Sequence, residues 1–165
     1  MRKNQGWTIA SYLLTHERTN IAGIGFSVAG LQRLKVNARA VHKGGRPLIE
    51  DPLFAARLAR VEIELENLKT TNLCVLAAAA GGAPPGPQAA LLRILGTQIR
   101  QEIFALTRRA MRPYALPWVE EADQALGPPG AATAALQCFN HRKLSIFGGS
   151  NEIQKNIVAK AVLGL

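Results

Sequence analysis

Aromatic side chains are scarce in this chain: Phe, Trp and Tyr together make up 5% of its 165 residues. So thin a supply argues against a base-stacking platform for single-stranded nucleic acid. Cysteine is scarcer still, with only Cys74 and Cys138, and the two show no CxxC spacing. That excludes a disulfide framework. Both lie in apolar helical text and read as small, reduced core residues of a cytoplasmic protein. The three histidines, His16, His42 and His141, stand far apart, so no metal site is expected. No charge-free apolar run reaches about 18 residues, so no membrane span is expected. Met1–Gln5 offers no apolar signal segment. Acidic residues are also few, 11 against 20 Lys+Arg, for a net charge of +9. Such a balance suits nucleic acid or an anionic surface. Yet the basic residues are scattered at helical spacing, with the tightest cluster at Arg108, Arg109 and Arg112. A solvated basic face is the simpler reading, and no nucleic-acid partner is expected.

What the chain does have is apolar text, 48% of residues, recurring at steps of three and four. That is the period of amphipathic helices, and alternating β-branched text is sparse. Trp7 to about Val41 reads as one long helix, softened by Gly23, Gly25 and Gly30 and broken by Gly44-Gly45-Arg46-Pro47. Asp51-Pro52 opens the clearest helix, with Asp51 as cap and proline at the first helical position. Phe54, Leu58, Val61, Leu65 and Leu68 form its buried seam, and it stops at Gly81-Gly82. A third helix runs from Pro87 to about Met111. Pro113, Pro117, Pro128 and Pro129 mark an irregular stretch. A short helix follows at about Ala131–Arg142, and a last one starts at Ser150 or Asn151. The length suits one domain, residues 1–165. The expected fold is all-α, an antiparallel helical bundle.

The last helix begins in an informative string, Phe139-Asn140-His141-Arg142-Lys143-Leu144-Ser145-Ile146-Phe147-Gly148-Gly149-Ser150-Asn151-Glu152. Gly148 and Gly149 can adopt positive φ and let a backbone approach closely. Ser150 is a good N-cap, and the free N–H groups of the first turn suit an anionic or polar ligand. Read alone, Gly-Gly-Ser is an ordinary loop-to-helix junction. Elsewhere, Glu17 is a carboxylate in apolar text, flanked by Leu13, Leu14, Ile21 and Ala22, with Arg18 beside it. Desolvation on an inner helix face would raise its pKa and suit a general base. A surface glutamate is the alternative, although Leu13 and Ile21 occupy the positions where an i,i+4 basic partner would stand.

The string from Phe139 through Gln154-x-Asn156-Ile157-Val158-Ala159-Lys160 resembles the C-terminal signature of acyl-CoA dehydrogenases. Gly6-Trp7-Thr8-Ile9-Ala10-Ser11-Tyr12 through Glu17-Arg18-Thr19 resembles the start of the C-terminal domain in that family. Together they span nearly the whole chain in the family's order. Tyr12-Leu13-Leu14, His16-Glu17-Arg18-Thr19 and Pro113-Tyr114-Ala115-Leu116-Pro117 resemble the large subunit of pimeloyl-CoA dehydrogenases.

The resemblance implies an FAD-dependent α,β-dehydrogenation of an acyl-CoA, with electrons passed to an electron-transferring flavoprotein. It also implies assembly into homo- or hetero-oligomers, and a CoA phosphate or an acidic redox partner as a use for the basic charge. Most members carry their catalytic glutamate directly before the Gly-Thr/Ser of the signature, which here is Gly148. A minority carry it beside the arginine on the first helix of the domain, which here is Glu17. The resemblance thus assigns Glu17 as base, Arg18, Gly148 and Gly149 to the substrate, and Ser150 and Glu152 to the adenosine side of FAD. It also implies that an N-terminal helical domain and a central β-domain lie outside these residues. The Val41–Leu48 segment departs from the family's Arg-x-x-Phe-Gly, and residues 112–131 depart from its Gln-x-x-Gly-Gly. Both family segments contact a neighbouring subunit's flavin. A non-catalytic assembly module, or an oxidase or hydroxylase on the same fold, are the rival expectations.

Overall fold

The computed structural model describes residues 5–10, 22–82, 86–116 and 126–164. Residues 6–10 are helical. Helix α1 spans Ile24–Ala40, α2 Pro52–Ala80, α3 Gln88–Met111, α4 Ala131–Asn140 and α5 Asn151–Leu163. The fold is an all-α antiparallel bundle, as the apolar period predicts. Helix α3 is its axis and packs against α1, α2, α4 and α5.

Helix α2 forms where local signals agree. Asp51 caps it by accepting the Phe54 N–H at 3.0 Å, with Pro52 at the first helical position. Its seam of Phe54, Leu58, Val61, Leu65 and Leu68 is buried along its length. These residues meet Leu31, Leu34 and Ala38 of α1 and Leu92, Ile99, Ile103 and Leu106 of α3 in the main core. The charges of the outer face pair along and between helices, Arg60 with Glu64 at 2.8 Å and Lys35 with Glu62 at 3.0 Å. A smaller cluster of Met111, Ala115, Ala131 and Ala134 joins α4 to the end of α3.

Two expectations need correction. The predicted single helix from Trp7 to Val41 is interrupted: residues 22–23 form a turn, and α1 starts afresh at Ile24. Gly23 takes φ 56°, and its carbonyl receives the Ser27 N–H at 3.1 Å. No helix passes through a left-handed residue without breaking its hydrogen-bond ladder.

Secondly, Cys74 is exposed, whereas Cys138 is buried as expected. The buried seam of α2 ends at Leu68, and beyond it the helix also exposes Leu73 and Leu76. The break expected at Gly44-Gly45-Arg46-Pro47 is present, and it takes the form of a small hairpin. Strand β1 (His42–Lys43) pairs antiparallel with β2 (Arg46–Pro47) across a Gly44-Gly45 turn. Both glycines have positive φ, 60° and 81°, as a two-residue hairpin turn requires. The predicted helix over Ala131–Arg142 is α-helical to Asn140 and tightens to 3-10 geometry over His141–Ser145.

Candidate functional site

The site is built on the turn that enters α5. Ser150 is extended, φ −61° and ψ 159°, and its Oγ accepts the Ile153 N–H at 3.4 Å. The Glu152 carboxyl lies below its usual range because its own backbone N–H and then the Ser150 hydroxyl donate to it. Before the cap, the Ile146 and Phe147 N–H groups both bond the Lys143 carbonyl, at 2.9 and 3.1 Å. Gly148 and Gly149 follow with φ of 67° and 93°. A β-carbon at Gly149 would sit 2.8 Å from Gln154 Nε2 and be strained besides. The outer side of this turn is exposed, as are Ile146, Phe147 and Ile153 beside it.

The inner side is held by a residue that sequence reasoning missed. Arg93 of α3 is fully buried. Its Nε and Nη2 donate to the Gly149 carbonyl at 2.9 and 2.6 Å, and Nη2 also donates to the Phe147 carbonyl. Burying a guanidinium costs several kcal/mol. Charge-assisted hydrogen bonds of roughly 1.5–3 kcal/mol each offset that cost. One turn further along α3, Thr97 is buried and its Oγ1 accepts from Asn151 Nδ2 at 3.1 Å. Gln154 is buried too, and its Oε1 has no hydrogen-bond partner among the described residues. The available signal was a lone arginine inside Ala90-Leu91-Leu92-Arg93-Ile94-Leu95, followed by the small residues Gly96 and Thr97.

The same turn of α3 also fixes the opposite segment. A β-carbon on Gly96 would lie 2.5 Å from the Ala22 carbonyl oxygen and 2.7 Å from its Cα. Ala22 therefore packs directly on the helix backbone. It stands five residues after Glu17 in the chain. One turn on, Arg100 lies against Gly23, with its guanidinium 5.3 Å from the Phe26 ring centroid. Burial pulls the Arg100 pKa below its ordinary value. Gln101 Nε2 reaches the His141 and Arg142 carbonyls at 3.2 and 3.1 Å, and so holds the Phe139–Arg142 part of the motif. His141 stacks on Phe104, ring centroids 3.7 Å apart.

Of the expected site residues, Gly148, Gly149, Ser150 and Glu152 come together at one turn. Glu17 and Arg18 lie outside the described residues. Among the described residues no cluster of three or more His, Cys, Asp or Glu could hold a metal, and no helix is long and apolar enough to cross a membrane.

Comparison with known proteins gives a family and a fold. Residues 4–163 match the family described as acyl-CoA dehydrogenase, C-terminal domain. The chain is 26% identical to acyl-CoA dehydrogenase FadE26 of Mycobacterium tuberculosis over 170 residues, covering 99% of this chain and 41% of that protein. Among solved structures it resembles the ChsE4–ChsE5 complex of M. tuberculosis (25% identity, TM-score 0.77, 99% of this chain and 42% of that one). It also resembles butyryl-CoA dehydrogenase of Megasphaera elsdenii (18% identity, TM-score 0.78, 98% and 40%), a likeness of fold. The chain thus spans about two fifths of the length of the relatives it matches.

Proposed function

Since the chain belongs to the acyl-CoA dehydrogenase family and matches its C-terminal domain, we propose that it supplies the base-bearing face of an FAD-dependent dehydrogenase acting on an acyl-CoA thioester. The observation that carries the reading is the shared anchorage on α3. The turn at Gly148-Gly149 and the segment at Ala22, just beyond Glu17, are both gripped by residues 93–97. These are the two chain regions from which family members present their catalytic carboxylate. Here one holds glycine and the other holds Glu17.

The residues present fit the flavin on this side. The turn is exposed, glycines 148 and 149 leave its surface free of side chains, and the Gly148 and Ser150 N–H groups have no backbone acceptor among the described residues. When bound, the flavin accepts the β-hydride. The chain's own part is to remove the α-proton at the Glu17 carboxylate, with Arg18 beside the acyl group. Gly148 and Gly149 let the thioester approach the backbone, and Ser150 and Glu152 meet the adenosine side. Exposed Ile146, Phe147 and Ile153 suit a face covered by further protein or ligand. The subtype we favour is the pimeloyl-CoA dehydrogenase large subunit, within a homo- or hetero-oligomer that passes electrons to an electron-transferring flavoprotein.

A second reading is a non-catalytic module of a heteromeric dehydrogenase. Its support is the hairpin at Gly44-Gly45, which stands where the family's Phe-Gly segment meets a neighbouring flavin. Glu17→Gln separates the two readings. The amide is nearly isosteric but cannot take the proton. Flavin reduction by acyl-CoA in the complete protein is expected to slow roughly 10²–10⁴-fold, with FAD content unchanged. Reduction at the wild-type rate in stopped flow would move catalysis to another residue or a partner subunit.

A further inference from the structure

The geometry assigns Arg93 as a positioning residue that sets which way the Gly148-Gly149 turn faces its ligand. In a planar trans peptide the C=O and the following N–H point in opposite directions. Arg93 draws the Phe147 and Gly149 carbonyls inward. The Gly148 and Ser150 N–H groups, which follow those carbonyls, are thereby turned away from it. Neither N–H has a backbone acceptor among the described residues. One buried guanidinium thus fixes two peptide planes at once.

The device suits a forked side chain. Glycines at positive φ have a broad conformational range, and nothing in Gly148 or Gly149 themselves would hold these planes. The Arg93 fork reaches both carbonyls, 54 and 56 residues away in the chain. A lysine ammonium keeps the charge but is a point donor without the fork's planar geometry. That the outward donors meet an acyl thioester and its flavin rests on the function proposed above; that Arg93 orients them does not.

The test uses Arg93→Lys and Arg93→Met in this chain, read by 15N–1H NMR and circular dichroism. Arg93→Met is expected to keep the helical spectrum while resonances of residues 147–150 shift and their heteronuclear NOE falls. Arg93→Lys is expected to show a smaller change at the same residues. Should Arg93→Met fail to fold, Arg93→Lys carries the test alone. Unchanged resonances at 147–150 in a folded variant, or changes spread evenly over the bundle, overturn the assignment.

In the complete flavin-loaded protein, Arg93→Lys is expected to lower kcat on the order of tenfold to 10²-fold, with FAD absorbance retained and KM for acyl-CoA changed far less. A wild-type kcat alongside displaced turn resonances overturns the step from orientation to catalysis, because the outward N–H groups would then not serve the reacting thioester. If the wild-type protein oxidises no acyl-CoA, the functional reading fails, while the NMR result still decides the role of Arg93.

Discussion

Helix α3 has two ends with opposite polar chemistry. At its N-terminal end Arg93, Thr97, Asn151 and Gln154 are all buried. At its C-terminal end Lys43 and Arg109 are about half exposed and Arg112 is exposed. They border a shallow groove of about 300 Å³ beside Asp51 and Phe54. There Lys43 pairs with Asp51 at 2.5 Å, and Arg109 with Glu102 at 3.6 Å. Arg93 holds two carbonyls and Thr97 holds Asn151, and such fixed partners give the buried end one geometry. Exposed ion pairs contribute little and tolerate exchange. The family resemblance divides the same way. It runs through the Gly149-Ser150 turn, apart from glycine at 148 where most members carry glutamate, and it breaks off at the hairpin, where the Phe-Gly segment is absent. The buried end fixes a shape; the exposed end leaves its charges free to rearrange.

The comparison breaks hardest at Gly96. Alanine there gains up to about 1 kcal/mol in helix propensity over glycine. It also drives a methyl against the Ala22 backbone, 2.5 Å from its carbonyl oxygen. Backbone cannot swing aside, so overpacking of about 1–3 kcal/mol or more wins. Gly96→Ala is expected to lower the melting temperature in calorimetry. A higher melting temperature would mean that Ala22 does not rest on α3.

Thr97→Val comes next. It keeps the shape but removes the oxygen that accepts from Asn151, leaving a buried amide unsatisfied. The expected loss is about 1–3 kcal/mol by urea unfolding. Thr97→Ser should recover much of it. Equal losses in both variants would assign the effect to packing instead.

The fold was legible wherever the cause was local. Asp51-Pro52 and the Phe54–Leu68 seam declare α2, and Ser150 declares the start of α5, because caps and periodicity act within a few residues. The Gly23 break was half legible: the glycine was visible, but the α3 packing that makes the chain turn there was not. Cys74 was misread because apolar helical text does not say where a long helix outruns its neighbours. Arg93 was illegible because its partners lie 54 and 56 residues away. Of the site, the turn and its cap could be read from residues alone, whereas the role of Glu17 came only through family resemblance.

At the exposed end the expected effect is smaller and of opposite sign. Arg112, which follows the last residue of α3, has φ 53° and ψ −134°, and it is the one non-glycine residue with positive φ among those described. Side chains rarely adopt that conformation, at a cost on the order of 1–3 kcal/mol. Arg112→Gly removes that strain and adds back unfolded-state entropy of up to about 1 kcal/mol. A net stabilisation of about 1 kcal/mol is expected from denaturant midpoints. A loss of stability would show that the arginine side chain holds more than its backbone costs.

His141 lies against α3 between the two ends and offers the smallest effect. Its ring stacks on Phe104, and its Nδ1 donates to the Gln137 carbonyl at 2.7 Å. Desolvation lowers its pKa most, the Gln137 bond opposes that, and the nearby charges of Arg100 and Lys143 lower it further. The folded pKa therefore lies below the ordinary value of about 6.5. Between the two values the unfolded chain binds more protons than the folded one, so stability rises with pH there. Above the unfolded value the contribution is fully present; it is lost as pH falls through the folded value. The size is modest, because the residue is only partly buried. An NMR titration of the His141 ring is expected to give a midpoint below that of a model histidine peptide. His141→Gln should flatten the fall in melting temperature on the acid side of neutrality. A midpoint at or above the peptide value would mean that the dry environment of Arg93 and Thr97 ends before Phe104.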